Sequence, residues 1–217
     1  MWILIWVVLS AILLGATLWS LQILLRQKKA WEAYARKKGL AFNKGTFMGN
    51  AEINGQIGNY KVAFFSAERQ ESDIRRKRFV TGIEFTLFEA IIDGGVAGTQ
   101  EMLAFMQSLT KLHPYNVEGW EQGHYLFVRT DAVAKAYFTP DRLNVCADIL
   151  KTRNADVVLA FGVDQVILRV ETADPMQDAE KIDKITTRLI SLMDKLRIDD
   201  AERQALAKLA KPQSADS

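Results

Sequence analysis

Met1 to Leu25 is an almost uninterrupted apolar run, and Arg26, Lys28 and Lys29 follow it at once. At a rise of about 1.5 Å per residue, a helix of that length extends roughly 37 Å, enough to cross a bilayer core. Ser10, Gly15, Thr17, Ser20 and Gln22 are its only interruptions, and none carries charge. A secretory signal peptide has a basic stretch ahead of a shorter apolar core. Here no Lys or Arg precedes Arg26, so residues 1–25 read as a transmembrane helix. The basic excess lies wholly after the run, with Arg26, Lys28, Lys29, Arg36, Lys37 and Lys38 opposed only by Glu32. By the positive-inside rule this predicts an outward-facing N-terminus and a domain in the cytoplasm. Trp2 and Trp6 suit the outer interface, and Trp19 or Trp31 the inner one.

The formal charge of +2 conceals an asymmetry. Residues 1–112 hold 14 basic against 9 acidic side chains, and residues 113–217 hold 14 against 17. Anionic lipids attract a juxtamembrane Lys or Arg by about 1 kcal/mol each. The six basic residues from Arg26 to Lys38 are therefore candidate lipid contacts. The overall balance is too near neutral to favour nucleic acid. Cys146 is the single cysteine, so no disulfide forms within the chain. It reads as a small apolar residue on a helix face rather than a nucleophile.

The remaining length suits one domain, or two small ones, with ample residues for a core. Residues 26–39 continue the membrane helix as a basic juxtamembrane segment, with Gly39 as the C′ stop. The period then changes from helical to alternating. Ala51, Ile53, Gly55 and Ile57 predict a strand, Gly58-Asn59 a hairpin turn, and Tyr60 to Ser66 the returning strand. Glu68 to Lys77 is expected to be a loop. Phe79 to Leu87 predicts a third strand, Thr99 to Leu112 a helix, and His124 to Thr130 a short buried strand. Thr139-Pro140 is an N-cap with Pro at N1. Val157 to Phe161 and Val166 to Val170 make a second hairpin. Asp174-Pro175-Met176-Gln177 reads as a helix start, and Ile182, Ile185, Leu189, Leu192 and Leu196 follow at steps of three and four. Asp199 with Glu202 caps a short helix in residues 199–217, and a polar tail begins at Pro212. The hairpin-length links give an α+β class: a mainly antiparallel sheet backed by helices, over residues 40–198.

Motifs for chemistry are sparse. Gly45 and Gly49 lack the Lys-Ser/Thr of a phosphate loop, and Gly94 to Gly98 lacks the dinucleotide spacing and reads as a turn. There is no G-x-S-x-G elbow and no C-x-x-C pair, so no cofactor is expected. Glu118, Glu121 and His124 are spaced by three, but Gly119 and Gly123 argue against a helix carrying them as metal ligands. His113-Pro114-Tyr115 reads as a turn. Glu84 and Glu89 are paired carboxylates whose geometry spacing does not supply. Arg75, Arg76, Lys77 and Arg78 form a candidate basic loop for headgroups, RNA or an acidic partner. Glu68, Glu71 and Asp73 offset it, which favours a solvated hairpin. Ala11-x-x-x-Gly15 and Ala16-x-x-x-Ser20 are small-residue pairs of the helix-packing kind.

Gly55 to Val62 of the first hairpin, Leu126 to Asp131, and Phe138-Thr139-Pro140 together resemble the single-pass bacterial inner-membrane proteins that place a small α+β domain after an N-terminal anchor. The resemblance implies a bacterial inner-membrane setting and carries over no activity and no site residues. Three functions remain open. The first is a tethered non-enzymatic interaction domain, an accessory subunit with a protein partner or second copy and with membrane lipids around it. The others are a module binding headgroups or an apolar ligand, and an enzyme whose residues meet only in three dimensions.

Overall fold

Without a proline or a charge to break its first 25 residues, the chain begins as one helix, α1, running from Trp2 to Lys38 over 37 residues. The computed structural model describes residues 2–70, 77–109 and 111–210, with backbone only at 69, 70, 77 and 78. Every residue of α1 from Trp2 to Ser20 is exposed, and this segment is long and apolar enough to be a membrane anchor or a signal sequence. The C-terminal half of α1 is different. Ala30, Trp31, Tyr34 and Ala35 are buried in the domain core, Trp31 and Tyr34 completely. Gly39 ends the helix at φ 69°, where a residue without Cβ is unstrained.

Nine strands among the described residues form one antiparallel sheet. They are β1 (Ala41–Asn43), β2 (Glu52–Ile57), β3 (Tyr60–Gln70), β4 (Lys77–Leu87), β5 (Gly95–Thr99), β6 (His113–Pro114), β7 (His124–Val128), β8 (Ala155–Phe161) and β9 (Val166–Thr172). Their spatial order is β1-β2-β3-β4-β9-β8-β5-β7-β6. The α+β class with an antiparallel sheet read from the sequence is the fold observed. Ile57 pairs with Tyr60 across the first hairpin, and Gly58 takes φ 59° in its turn. The overhanging end of the β3–β4 hairpin runs past β9, whose last partner on β4 is Thr81.

One face of the sheet carries Ile53, Val62, Phe64, Ile83, Phe85, Leu159, Leu168 and Val170, all at 1% exposure or less. Over it lie the lower half of α1 and four further helices. Three are α3 (Asp131–Tyr137), α4 (Pro140–Leu150) and α6 (Asp200–Ala210). The fourth is α5 (Ala179–Asp194), amphipathic as its spacing predicts, with Ile182, Leu189 and Leu192 buried and Ile185 half-buried. The Trp31 and Tyr34 rings meet Phe64 at 5.8 and 5.4 Å between centroids. Tyr34 donates to Thr186 Oγ1 of α5 at 3.0 Å. On the opposite face a 3-10 turn, Gln100–Met102, and α2 (Leu103–Ser108) cover Val96, Phe127 and Val158 with Met102 and Met106.

Five sequence readings are corrected. His113-Pro114 is not a turn, because it pairs as β6 with Val128 and Phe127 of β7. Gly94 to Gly98 is not a turn, because β5 is a wholly buried central strand. Its glycines give room where a side chain would clash: a Cβ on Gly98 would lie 2.6 Å from the Met106 sulfur. The helix expected from Thr99 to Leu112 is shorter, since Thr99 closes β5 and α2 ends at Ser108. α5 starts at Ala179, capped by Asp178, which accepts from Glu180 N–H at 2.8 Å. Asp174 instead accepts from Met176 N–H, and Met176 sits at φ 54°, outside helical space. Finally, Glu68 and the backbone of Lys77 belong to strands, so any loop between them is shorter than expected. The helix starts at Thr139-Pro140 and at Asp199-Glu202 are as read, with Glu202 N–H donating to Asp199 at 2.8 Å. The tail from Pro212 lies outside the described residues.

Candidate functional site

The basic segment after the apolar run is not uniform. Arg26 and Lys29 are exposed, but Lys28 is 3% exposed and turned into the protein. Its Nζ donates to the carbonyls of Thr46 at 2.6 Å and Phe47 at 3.3 Å. Burial lowers its pKa, and the nearby Lys44 charge lowers it further. Arg36 pairs with Glu32 one turn back, and Lys37 and Lys38 both reach Asp183 on α5 at 2.7 Å. Those last three lie roughly 24–27 Å along the helix from Ser20, at about 1.5 Å per residue. Trp31 is taken by the core, whereas Trp19 is 67% exposed.

Between residues 20–27 of α1 and the far ends of β3 and β4 lies a cleft of about 470 Å³. Ser20, Ile23 and Leu24 form one wall, and Met48, Phe79 and Val80 the other. Of the candidate basic loop, Arg75 and Arg76 lie outside the described residues. Lys77 and Arg78 occupy the first positions of β4, paired in register with Gln70 and Arg69.

The second face of the sheet holds a trough of about 480 Å³ beside α2. Alternation places its residues: Arg169 and Glu171 on β9 point away from the core that Leu168 and Val170 enter, and Glu84 of β4 pairs in register with Arg169. Arg169 Nε donates to Glu171 Oε1 at 2.7 Å, and its Nη1 lies 4.0 Å from Glu84. The guanidinium also stacks 4.8 Å from the Phe65 ring centroid, a cation–π contact. Phe65 in turn lies over Gly82, where a Cβ would come within 2.4 Å of the ring. Phe105 of α2, half exposed, overhangs the trough with Met102 beneath it. Glu84 and Glu171 flank the Arg169 guanidinium, and Val80, Met102, Phe105 and Val158 give the trough apolar walls.

The remaining candidates fall apart as sites. Glu121 pairs with Lys151 at 2.8 Å, and His124 enters β7 against the Trp120 ring. His113 Nε2 lies 2.8 Å from Asp131. Glu89 holds Arg197 and Arg203, away from the Arg169 cluster that contains Glu84. No group of three or more His, Cys, Asp or Glu among the described residues is placed to hold a metal. Cys146 is fully buried on α4, and burial pushes its thiol up to about 12, although Arg142 acts the other way. A thiol in that state is an inert apolar side chain. Motif searching missed Phe65, Arg169 and Phe105. The available signal was two charged residues, Arg169 and Glu171, on the outward positions of an otherwise apolar strand. No family model, curated protein or solved structure matches the chain.

Proposed function

We propose that the chain is a single-pass protein of the bacterial inner membrane, with its N-terminal end outside and its α+β domain in the cytoplasm. It acts as a membrane-tethered, non-enzymatic interaction domain, an accessory subunit of a larger membrane complex. The observation that carries this reading is the continuity of α1, exposed and apolar from Trp2 to Ser20 and buried in the core at Trp31 and Tyr34. A flexible linker would let the domain wander. A helix that belongs to both the span and the core fixes the domain's height and rotation against the bilayer. Such a mount suits a domain that offers one face to a neighbour in the same membrane. The trough beside α2 is that face: its apolar walls around the Glu84–Arg169 pair fit a protein segment that carries apolar side chains and a charged one.

The cleft between Ser20, Ile23, Leu24 and Met48 supports a second reading, a module that holds an apolar ligand or headgroup at the bilayer surface. A photo-crosslinking residue in place of Phe105, in the full-length chain in cells, separates the two. The first reading expects a discrete protein adduct that the charge reversal Glu84→Lys abolishes. An adduct of lipid mass supports the second reading. No adduct, or a protein adduct indifferent to the charge reversal, overturns the trough as the docking face.

A further inference from the structure

We infer that Phe47, Met48 and Phe79 form a second membrane contact, seated in the headgroup–acyl boundary beside the exit of α1. This rests on the reading of α1 as a membrane span. The turn that carries the first two is built rather than loose. Asn43 Oδ1 accepts from Gly45 N–H at 3.0 Å, and Gly49 N–H donates to Thr46 C=O at 3.2 Å. Gly45 sits at φ 63°, and a Cβ there would fall 2.3 Å from the Asn50 carbonyl oxygen. The corner of such a turn ordinarily carries polar residues. Here it carries Phe47 at 64% exposure and Met48 at 73%, and Phe79 at 64% stands on the same side of the domain.

Position identifies what these side chains meet. Helix side chains lean toward the helix N-terminus, so Lys28, which grips the Thr46 and Phe47 carbonyls, holds the turn on the membrane side of its own Cα. Met48 and Phe79 line one cleft with Ser20, Ile23 and Leu24, the last turns of the apolar run. A hydrocarbon core of about 30 Å, laid forward from Trp2 or back from the first charge at Arg26, ends between Leu21 and Leu25 or spans up to it. The three apolar side chains are therefore level with the boundary. Arg26 and Lys29 follow Leu24 on α1 and Lys44 precedes the turn, all three exposed, the charge that suits anionic headgroups. The domain's other large exposed apolar side chains, such as Phe88 and Val163, lie away from this cleft.

Nitroxide labels on single cysteines in a Cys146→Ala background, in nanodiscs containing anionic phosphatidylglycerol, test this. Leu13→Cys reports the span, Met48→Cys the turn, and Val163→Cys an equally apolar position on the far β8–β9 hairpin. The ratio of relaxation by dissolved oxygen to relaxation by a water-soluble nickel chelate is expected to be severalfold higher at Met48→Cys than at Val163→Cys. Equal ratios at those two sites, with Leu13→Cys deep, overturn the inference and leave the span intact. A water-exposed Leu13→Cys overturns the span itself, and the inference with it. Adding Lys28→Met is expected to lower the ratio at Met48→Cys, and an unchanged ratio removes Lys28 as the strut.

Discussion

Asp183 is where one carboxylate ties the end of α1 to α5. Hydrogen bonds from Lys37 and then Lys38 hold its pKa below the ordinary carboxylate value. A group depressed in the folded state stabilises it above the unfolded pKa, about 3.9 for Asp, and that contribution disappears as pH falls through the folded value. Asp183→Asn is therefore expected to lower the melting temperature at pH 7 and to converge with the parent chain as pH drops below the carboxylate range. Thermal melts of the detergent-solubilised protein from pH 7 to pH 2.5 check it, and a gap independent of pH would contradict it. The same residue explains why the basic segment is misread from sequence alone. Six cations in thirteen residues look like one lipid-facing patch, but Lys37 and Lys38 have a partner 145 or more positions away, and Lys28 is committed to two carbonyls.

Elements differ in how plainly the chain announces them. α5 is the clearest, because its apolar steps match a helix with one buried side, and Leu189 is 1% exposed against the sheet and α1. Leu189→Ala is expected to cost about 2–5 kcal/mol in denaturant unfolding. An unchanged stability with lost self-association would make α5 a partner-facing seam instead. Strands with one wet face, such as β2, were legible for the same reason of period. β5 was not, since five residues with two glycines and burial on both faces show no alternation to read. The start of α5 misled because Asp174 and Asp178 both offer a capping carboxylate, and only the positive φ at Met176 decides between them. The trough was illegible as a unit. Glu84 and Arg169 lie far apart in sequence, and only the β4–β9 register sets them side by side.

At the scale of the whole molecule, α1 runs unbroken from the exposed apolar segment into the domain core, and on the proposal that this segment spans a membrane it makes membrane and domain one mechanical object. The face with the trough, the cleft at the base of α1 and the turn at Phe47 all take their orientation from that helix. The measurement that tests this account most directly is the side of the membrane on which the domain lies. Asn59 sits in the exposed β2–β3 turn, so Asn59→Cys in a Cys146→Ala background gives a single accessible thiol. The account predicts that a membrane-impermeant maleimide leaves the uncleaved chain unlabelled in cells with an intact inner membrane and labels it once that membrane is breached. Labelling before the breach, or a chain shortened by loss of its apolar run, would contradict it.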